Sequence, residues 1–208
     1  MLPEIVSVAI IAYLLGSFPA GYIAGRAAGV DIRTVGSRNV GATNVTRVLG
    51  KRFGYPVFLI DFAKGFVAVW AAVMIAKAAR SSITIVDLFA ALAAVFGVLG
   101  HSYPIWLRFK GGKGVATSLG ALFAMNWIAA FAVCLVWVII FQTTRYVSIA
   151  SLGAVIALPI AIATLFFLNQ LQTPILFYFA LALCAIVTWR HRSNISRLLN
   201  GTEPRFNR

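Results

Sequence analysis

Acidic residues, cysteine and histidine are scarce in this chain, whose 208 residues include five Asp and Glu, two Cys and two His. Five scattered carboxylates cannot easily hold a two-metal catalytic site. Neither an HExxH zinc motif nor a Gly-x-Ser-x-Gly nucleophile turn is present in the sequence. Cys134 and Cys184 both fall inside apolar segments, so we expect no disulfide framework and no zinc site.

Long apolar segments dominate what is present. Hydrophobic residues make up 61% of the chain, charged residues make up 11%, and the mean hydropathy is +0.92. Soluble domains are about half apolar and about a quarter charged, whereas a bilayer span needs about 20 apolar residues. The alternation typical of β-barrel strands is missing. The composition therefore predicts an all-α, polytopic integral membrane helical bundle.

We identify seven apolar segments. They cover residues 4–24, 55–77, 85–104, 114–125, 127–142, 148–168 and 172–189. The first has no basic region before it and no clear cleavage signal, so we interpret it as a span rather than a signal peptide. Ser17 and Pro19 predict a kink within it, and Asn126 separates the short fourth and fifth segments. One domain over residues 1–208 accounts for all seven.

Basic residues are concentrated on one side of such a bundle. With seven spans and the N-terminus outside, most of the 18 Lys and Arg lie on the cytoplasmic loops and the C-terminal tail. The C-terminus is then cytoplasmic. The net charge of +13 is explained by these loops and by an anionic lipid or substrate, rather than by nucleic acid. The glycine-rich and polar loops also face the cytoplasm, which places the predicted active surface there.

A polar loop at residues 36–50 follows the first span. Its small residues let the backbone approach a ligand closely, and Arg47 can bind phosphate through a bidentate fork. Hydrogen bonds to phosphate or a polyol are expected from Ser37, Asn39, Thr43 and Asn44. Residues 42–50 have helical spacing, so an interfacial amphipathic helix after an ordinary polar turn is the alternative.

A second loop, Lys110-Gly111-Gly112-Lys113-Gly114, directly precedes the fourth apolar segment. It lacks the spacing of a Walker A loop. Free N–H groups at the start of a helix, together with the helix dipole, nevertheless bind anions. The two lysines add positive charge, so we predict a phosphate site. A flexible loop with snorkelling lysines is the alternative.

Polar residues also follow the last span. His191 and Asn194 share a helix face, and the histidine could move a proton or bind phosphate. Arg192 and Arg197 fit better as anchors to anionic lipid. Four further residues stand out in or beside the spans: Asp61 and Lys64 as a functional or a self-neutralising pair, Ser148 as a polar lining or a helix cap, and His101 as a structural histidine.

Taken together, these motifs resemble the bacterial acyl-phosphate:glycerol-3-phosphate acyltransferase family. The resemblance rests on residues 36–44 (GSRNVGATN), 61–65 (DFAKG), 109–117 (FKGGKGVAT) and 191–195 (HRSNI) with 201–203 (GTE). The motifs occur in order over nearly the whole chain. Arg38 departs from the family, which usually has glycine there. The His-x₄-Asp motif of acyl-CoA-dependent acyltransferases is absent, as the resemblance implies.

The resemblance implies a seven-span enzyme that transfers a fatty acyl group from acyl phosphate to the 1-hydroxyl of glycerol 3-phosphate without a cofactor or metal. The products are lysophosphatidic acid and phosphate, in the first step of phospholipid synthesis. By motif, the implied catalytic residues are Ser37, Arg47, Lys113, His191, Asn194 and Ser148. Phosphate contacts are implied for the glycine loop, and a structural role for Glu203. The general base is a substrate phosphate or His191.

The resemblance also implies a multi-pass protein of the bacterial inner membrane with its active site facing the cytoplasm. An acyl-phosphate-producing enzyme is a further expected partner. Two other functions compete with this one. A transporter for a phosphorylated anion would need polar groups through the full membrane depth or an inverted repeat, and the last two spans are nearly all apolar. A non-catalytic lipid-binding scaffold would not need the glycine–lysine loop.

Overall fold

The fold is all-α, as predicted, in a computed structural model that describes residues 2–206. The helices of the described residues are α1 (Leu2–Gly16), α2 (Ala20–Ala27), α3 (Ala42–Leu49), α4 (Lys51–Ala78), α5 (Ile83–Ser102), α6 (Val115–Met125), α7 (Trp127–Thr144), α8 (Val147–Phe167), α9 (Ile175–Arg190) and α10 (Arg192–Leu199). A short 3₁₀ helix covers Ile105–Leu107. Each of the seven apolar segments contains a helix, and the residues with helical spacing after the first polar loop form α3.

Five helical stretches of the described residues are long and apolar enough to cross a bilayer. They are Leu2–Ala27, Lys51–Ala78, Ile83–Leu107, Trp127–Thr144 and Val147–Phe167. A sixth is obtained if α9 and α10, which meet at a bend of 58°, count as one broken span. The remaining apolar helix, α6, has 11 residues. The protein is therefore an integral membrane helical bundle, and the count of seven spans stays a prediction.

Two breaks in the helices fall where the sequence predicted them. The first apolar segment is interrupted after Gly16, and the Ser17 hydroxyl donates a hydrogen bond to Tyr13 O at 2.8 Å. Asn126 ends α6 and caps α7, because its Oδ1 accepts the N–H of Ala129 at 2.9 Å. A side-chain acceptor at this position satisfies one of the orphan N–H groups of a helix start.

The bundle core lies around α5, which packs against α1, α4, α6 and α9. Small residues allow the close crossings. At Gly120 any Cβ would overlap Phe62 O of α4, so α6 can lie directly against that helix. Alanine and valine fill much of the buried interior, whereas many large apolar side chains point outward, as expected for a surface that faces lipid. At one end, α3 and the loops before α6 and after α9 form the polar surface that holds the site.

Candidate functional site

The three polar motifs converge on one cavity of about 170 Å³. Its lining combines residues of the first loop, the glycine loop and the segment after the last span: Ser37, Asn39, Lys113, Arg190, Arg192, Ser193 and Arg197. Residues more than 150 positions apart in the sequence thus share one wall, because α9 packs beside α5 and delivers its end to the glycine loop. A small polar cavity with four cationic side chains suits a phosphorylated ligand.

Asn44 holds the first loop together through its side chain, which is 1% exposed. Its Nδ2 donates to the carbonyl oxygens of Ile32, Val35 and Asn39, and its Oδ1 accepts the N–H of Ser37 at 2.8 Å. These hydrogen bonds go to the loop backbone and hold Ser37 at the cavity. Direct contact of Asn44 with phosphate stays a prediction.

The other residues of this motif occupy different places. Asn39 lines the cavity while its Oδ1 accepts the N–H of Gly41 at 2.8 Å. Thr43 is half-buried on α3. Arg47 is exposed near the end of α3, and its guanidinium lies 5.9 Å from the centre of the Phe206 ring. This cation–π contact brings the C-terminal tail over the arginine.

The glycine loop is held by its backbone on two sides. The N–H groups of Gly111 and Gly112 donate to Ser102 O and His101 O at 3.2 and 3.0 Å. Their carbonyl oxygens accept from the Arg190 guanidinium at 2.8–3.0 Å. Both N–H groups therefore already pair with the end of α5, and phosphate contact by Gly111 and Gly112 stays a prediction. The loop serves as a rigid mount for Lys113.

Lys113 is the lysine of this loop that enters the cavity, whereas Lys110 is exposed and does not line it. The pKa of Lys113 is lowered to about 8, chiefly by burial and also by the charges of Arg197, Arg47 and Arg190, while the charge of Glu203 acts in the opposite direction. A concentration of positive charge around a partly buried ammonium is an arrangement that an anionic ligand would stabilise. Gly114, with φ of +83°, turns the chain into α6 directly after the lysine.

Glu203, in the tail after α10, accepts hydrogen bonds from side chains of both α8 and α10. Its Oε1 accepts from Ser148 Oγ at 2.7 Å and from Asn194 Nδ2 at 2.6 Å, and its Oε2 accepts from Arg197 Nε at 2.8 Å. Burial raises the pKa of Glu203, but these three hydrogen bonds outweigh it and the pKa lies below the usual value. Arg197, which the sequence suggested as a lipid anchor, pairs with Glu203 and lines the cavity.

His191 is 2% exposed, and its Nδ1 lies 2.8 Å from Val187 O. A carbonyl only accepts, so Nδ1 carries the proton and Nε2 is left as an acceptor. Asn194 is 4% exposed, and its Oδ1 has no hydrogen-bond partner among the described residues. An unpaired buried acceptor beside a polar cavity is a candidate to receive a ligand hydroxyl.

Sequence reasoning missed two contributors to this site. Arg190 was treated only as one more basic residue after the last span, yet it clamps the glycine loop. Its position directly before His191 was the available signal. His101 lies under the same loop and was expected to be merely structural. Its ring Nδ1 is 3.4 Å from Asp61 Oδ1, which also forms a 2.8 Å ion pair with Lys64.

Comparison with known proteins finds relatives over nearly the whole chain. The sequence model of the glycerol-3-phosphate acyltransferase family matches residues 6–201. A glycerol-3-phosphate acyltransferase of Aquifex aeolicus is 45% identical over 198 residues, which are 95% of this chain and 96% of that protein. One from Gloeobacter violaceus is 47% identical over 195 residues, or 93% of this chain and 91% of that protein.

Two solved structures have the same fold. The crystal structure of PlsY, an integral membrane glycerol 3-phosphate acyltransferase, in its glycerol 3-phosphate form matches with a TM-score of 0.85 at 43% identity, covering 98% of this chain and 96% of that chain. Its lysophosphatidic acid form matches with a TM-score of 0.83 at 42% identity, covering 98% and 95%.

Proposed function

The chain belongs to the glycerol-3-phosphate acyltransferase family, and on that premise we propose that it transfers a fatty acyl group from acyl phosphate to the 1-hydroxyl of glycerol 3-phosphate. One observation carries the proposal. Ser37, Lys113 and three arginines line one small cavity at the end of an apolar bundle, where a phosphorylated polyol and a lipid-like donor can meet. The structures of PlsY in a glycerol 3-phosphate form and a lysophosphatidic acid form support the acceptor and the product of this reaction.

In the proposed reaction, the glycerol hydroxyl oxygen attacks the carbonyl carbon of the acyl phosphate. The bond between that carbon and the bridging phosphate oxygen breaks, and inorganic phosphate leaves with the electron pair. The hydroxyl proton passes to a substrate phosphate or to Nε2 of His191. Because phosphate is already a good leaving group, positioning and charge stabilisation supply most of the rate.

We assign the departing phosphate to Lys113, since its ammonium can stabilise charge that develops in the transition state. Ser37, Arg47, Asn194 and His191 then hold the phosphate and hydroxyls of the acceptor. Ser148 and Glu203 orient Asn194 and Arg197 through the hydrogen bonds described above.

The acyl tail lies between helices, open to the inner leaflet. The topology we propose has seven crossings with the N-terminus outside, so the site faces the cytoplasm of a bacterial inner membrane. An acyl-phosphate-producing enzyme supplies the donor in this scheme.

Purified protein in lipid or detergent tests the proposal directly. Palmitoyl phosphate and glycerol 3-phosphate are supplied, with palmitoyl-CoA as a parallel donor, and phosphate release and lysophosphatidic acid are followed together. We expect both products only with acyl phosphate. Lys113→Ala should abolish turnover in a protein that still folds. Product formation with palmitoyl-CoA alone would overturn the assignment of acyl phosphate as the donor. An active Lys113→Ala protein would overturn the role assigned to the lysine.

A further inference from the structure

Three ionisable side chains form a cluster inside the apolar bundle, outside the cavity described above. Asp61, Lys64 and His101 are 3%, 8% and 7% exposed. Lys64 Nζ lies 2.8 Å from Asp61 Oδ1 and donates to Phe18 O at 3.1 Å, where the first helical segment is interrupted. Charged groups at this depth are costly in a membrane protein, so their presence calls for a function.

The cluster touches the glycine loop through one residue, His101. The carbonyl oxygen of His101 accepts the N–H of Gly112 at 3.0 Å. Its ring packs against the same glycine so closely that a Cβ at position 112 would overlap Nε2. Gly112 is therefore fixed by both the backbone and the ring of one histidine, and the next residue in the chain is Lys113.

One carboxylate oxygen lies beside that ring. Oδ1 of Asp61 faces both Lys64 Nζ and His101 Nδ1, the latter at 3.4 Å. A carboxylate beside Nδ1 favours the tautomer with the proton on that nitrogen and restrains the ring. If the only role of Asp61 were to balance the charge of Lys64, His101 would not be needed beside it. His101 lies within reach of the same carboxylate oxygen and connects the ion pair to the glycine loop.

We propose that Asp61 is a positioning residue of the enzyme, which holds the His101 ring against Gly112 and thereby fixes Lys113 in the cavity. Lys64 keeps the carboxylate charge balanced and anchors it to the break after α1. The inference rests on the proposed function, because it assigns the cluster to the alignment of a lysine that we place at the departing phosphate.

Two matched double variants separate positioning from simple stability. Asp61→Asn/Lys64→Met and Asp61→Leu/Lys64→Met both remove the ion pair and both lose the bond to Phe18 O. Replacing both partners avoids leaving one unpaired buried charge, which is the strongly destabilising change. The variants differ in whether an oxygen remains at position 61 to face His101.

We expect Asp61→Leu/Lys64→Met to lower kcat by about 10- to 100-fold, as displaced catalytic groups do, with little change in KM for glycerol 3-phosphate. Asp61→Asn/Lys64→Met should keep most of the wild-type kcat. Equal kcat in the two folded doubles would overturn the proposal. Asp87→Asn/Thr173→Val is the control, because it breaks a partly buried 2.6 Å hydrogen bond near the other end of α5. It should lower stability and leave kcat unchanged.

A second readout does not depend on turnover. Lysine reactivity toward an amine reagent is followed against pH and resolved by peptide, with exposed Lys110 of the same loop as the internal reference. Wild-type Lys113 should react with a midpoint near its pKa of about 8. The Asp61→Leu double should move that midpoint toward the ordinary lysine value of about 10.4, while Lys110 does not change.

The charged groups that act on Lys113 are Glu203, Arg197, Arg47 and Arg190, and all four are intact in both doubles. A shift shared by the two doubles, or absent from both, would contradict positioning through His101. The two proposals can fail separately. A wild-type protein without acyltransferase activity refutes the proposed function, whereas the labelling comparison still judges the positioning of Lys113.

Discussion

The side-chain amide of Asn194 donates a 2.6 Å hydrogen bond to Oε1 of Glu203, nine residues further along the chain. The same oxygen accepts from Ser148 Oγ at the start of α8. The segment after α10 therefore folds back and joins the third motif to a different helix. This contact uses only Nδ2 of Asn194, and its Oδ1, which has no hydrogen-bond partner within residues 2–206, remains for a ligand.

Removal of the Glu203 carboxylate should weaken both the fold and the reaction. In Glu203→Ala, three hydrogen bonds are lost and the Arg197 charge has no partner. We expect the free energy of unfolding to fall by about 2 to 3 kcal/mol, at about 0.5–1.5 kcal/mol for each lost hydrogen bond and with little from the ion pair itself, since the Arg197 side chain is 35% exposed. Activity should fall as well, because Asn194 loses its orientation. Thermal unfolding and initial rates well below the unfolding midpoint measure the two effects separately.

Ser148→Ala provides the graded comparison. It removes one of the three bonds and leaves those from Asn194 and Arg197, so we expect a loss of about 1 to 2 kcal/mol in stability and a partial loss of rate. Complete loss of turnover in a stable Ser148→Ala protein would mean that this serine contacts the substrate itself. Unchanged activity in Glu203→Ala would contradict the orienting role of the carboxylate.

The pH dependence of the reaction should report Lys113. Its pKa is lowered to about 8, chiefly by burial, so kcat/KM should fall on the alkaline side with a midpoint near that pH as the free enzyme loses the ammonium charge. Stability should not fall with it. The folded pKa is below the unfolded value, so the unfolded chain binds more protons between the two and stability rises with pH there.

Lys113→Arg is the matched variant for this profile. A guanidinium stays protonated across the accessible range, so the alkaline decrease should move to higher pH even if the maximal rate is lower. The uncatalysed hydrolysis of acyl phosphate is subtracted at each pH. A decrease that stays at the same pH in Lys113→Arg would assign it to another group.

Much of this fold could be predicted from hydrophobicity alone. The seven apolar segments, the break before Pro19 and the cap at Asn126 follow from the length of apolar runs and from residue types that end or start helices. Whether the short helix α6 crosses the whole bilayer could not be predicted, because a run of apolar residues does not show where the ends of a helix meet the lipid surface. The bend of 58° between α9 and α10 was likewise not predictable.

The candidate site was predicted less completely. Residues that bind a ligand and residues that bind the backbone have the same side-chain chemistry, so Asn44 could not be distinguished from Asn39 in the sequence. The contacts of Gly111 and Gly112 with the end of α5 depend on tertiary packing. Glu203 and Arg197 are six residues apart, and nothing in their spacing indicates that the chain turns back to join them.

Arg38 should be replaceable by glycine with a gain in stability. Its φ of +59° is in the left-handed region, which costs a residue with a Cβ about 1–2 kcal/mol. Glycine loses part of that gain through the entropy of the unfolded chain, by about 0.4–1 kcal/mol. We therefore expect Arg38→Gly to raise the free energy of unfolding by up to about 1 kcal/mol, or about 2–4 °C in Tm.

Arg52→Gly is the control for this substitution. Arg52 is also an exposed arginine, but it lies within α4 and has no left-handed strain to relieve. Arg52 is the second residue of α4, so glycine there should lower stability by at most about 0.5–1 kcal/mol, which is its cost in the middle of a helix. Both proteins are compared by thermal unfolding in the same detergent. A lower Tm for Arg38→Gly would show that the arginine makes a compensating interaction in this loop.

The proposed topology predicts which engineered cysteines an impermeant thiol reagent can reach. The background is Cys134→Ala/Cys184→Ala, which removes both native thiols. Lys51→Cys and Asn200→Cys should react only when the cytoplasmic face is open, and Ser82→Cys only from outside. Intact spheroplasts expose the outer face to the reagent, and inverted vesicles expose the cytoplasmic face. Reaction of Asn200→Cys from outside would reverse the orientation and remove the cytoplasmic site.

Because α6 is short, position 127 at the start of α7 is the one that tests the number of membrane crossings. Its 11 residues extend about 16 Å, roughly half of the 30 Å hydrocarbon core. With seven crossings, the bilayer thins locally around α6, and Trp127→Cys at the start of α7 should react from outside. If α6 and the start of α7 instead form a re-entrant hairpin, the cysteine stays within the membrane and reacts from neither side. The loops before α6 and after α7 are cytoplasmic in both cases, so only the junction distinguishes five crossings from seven.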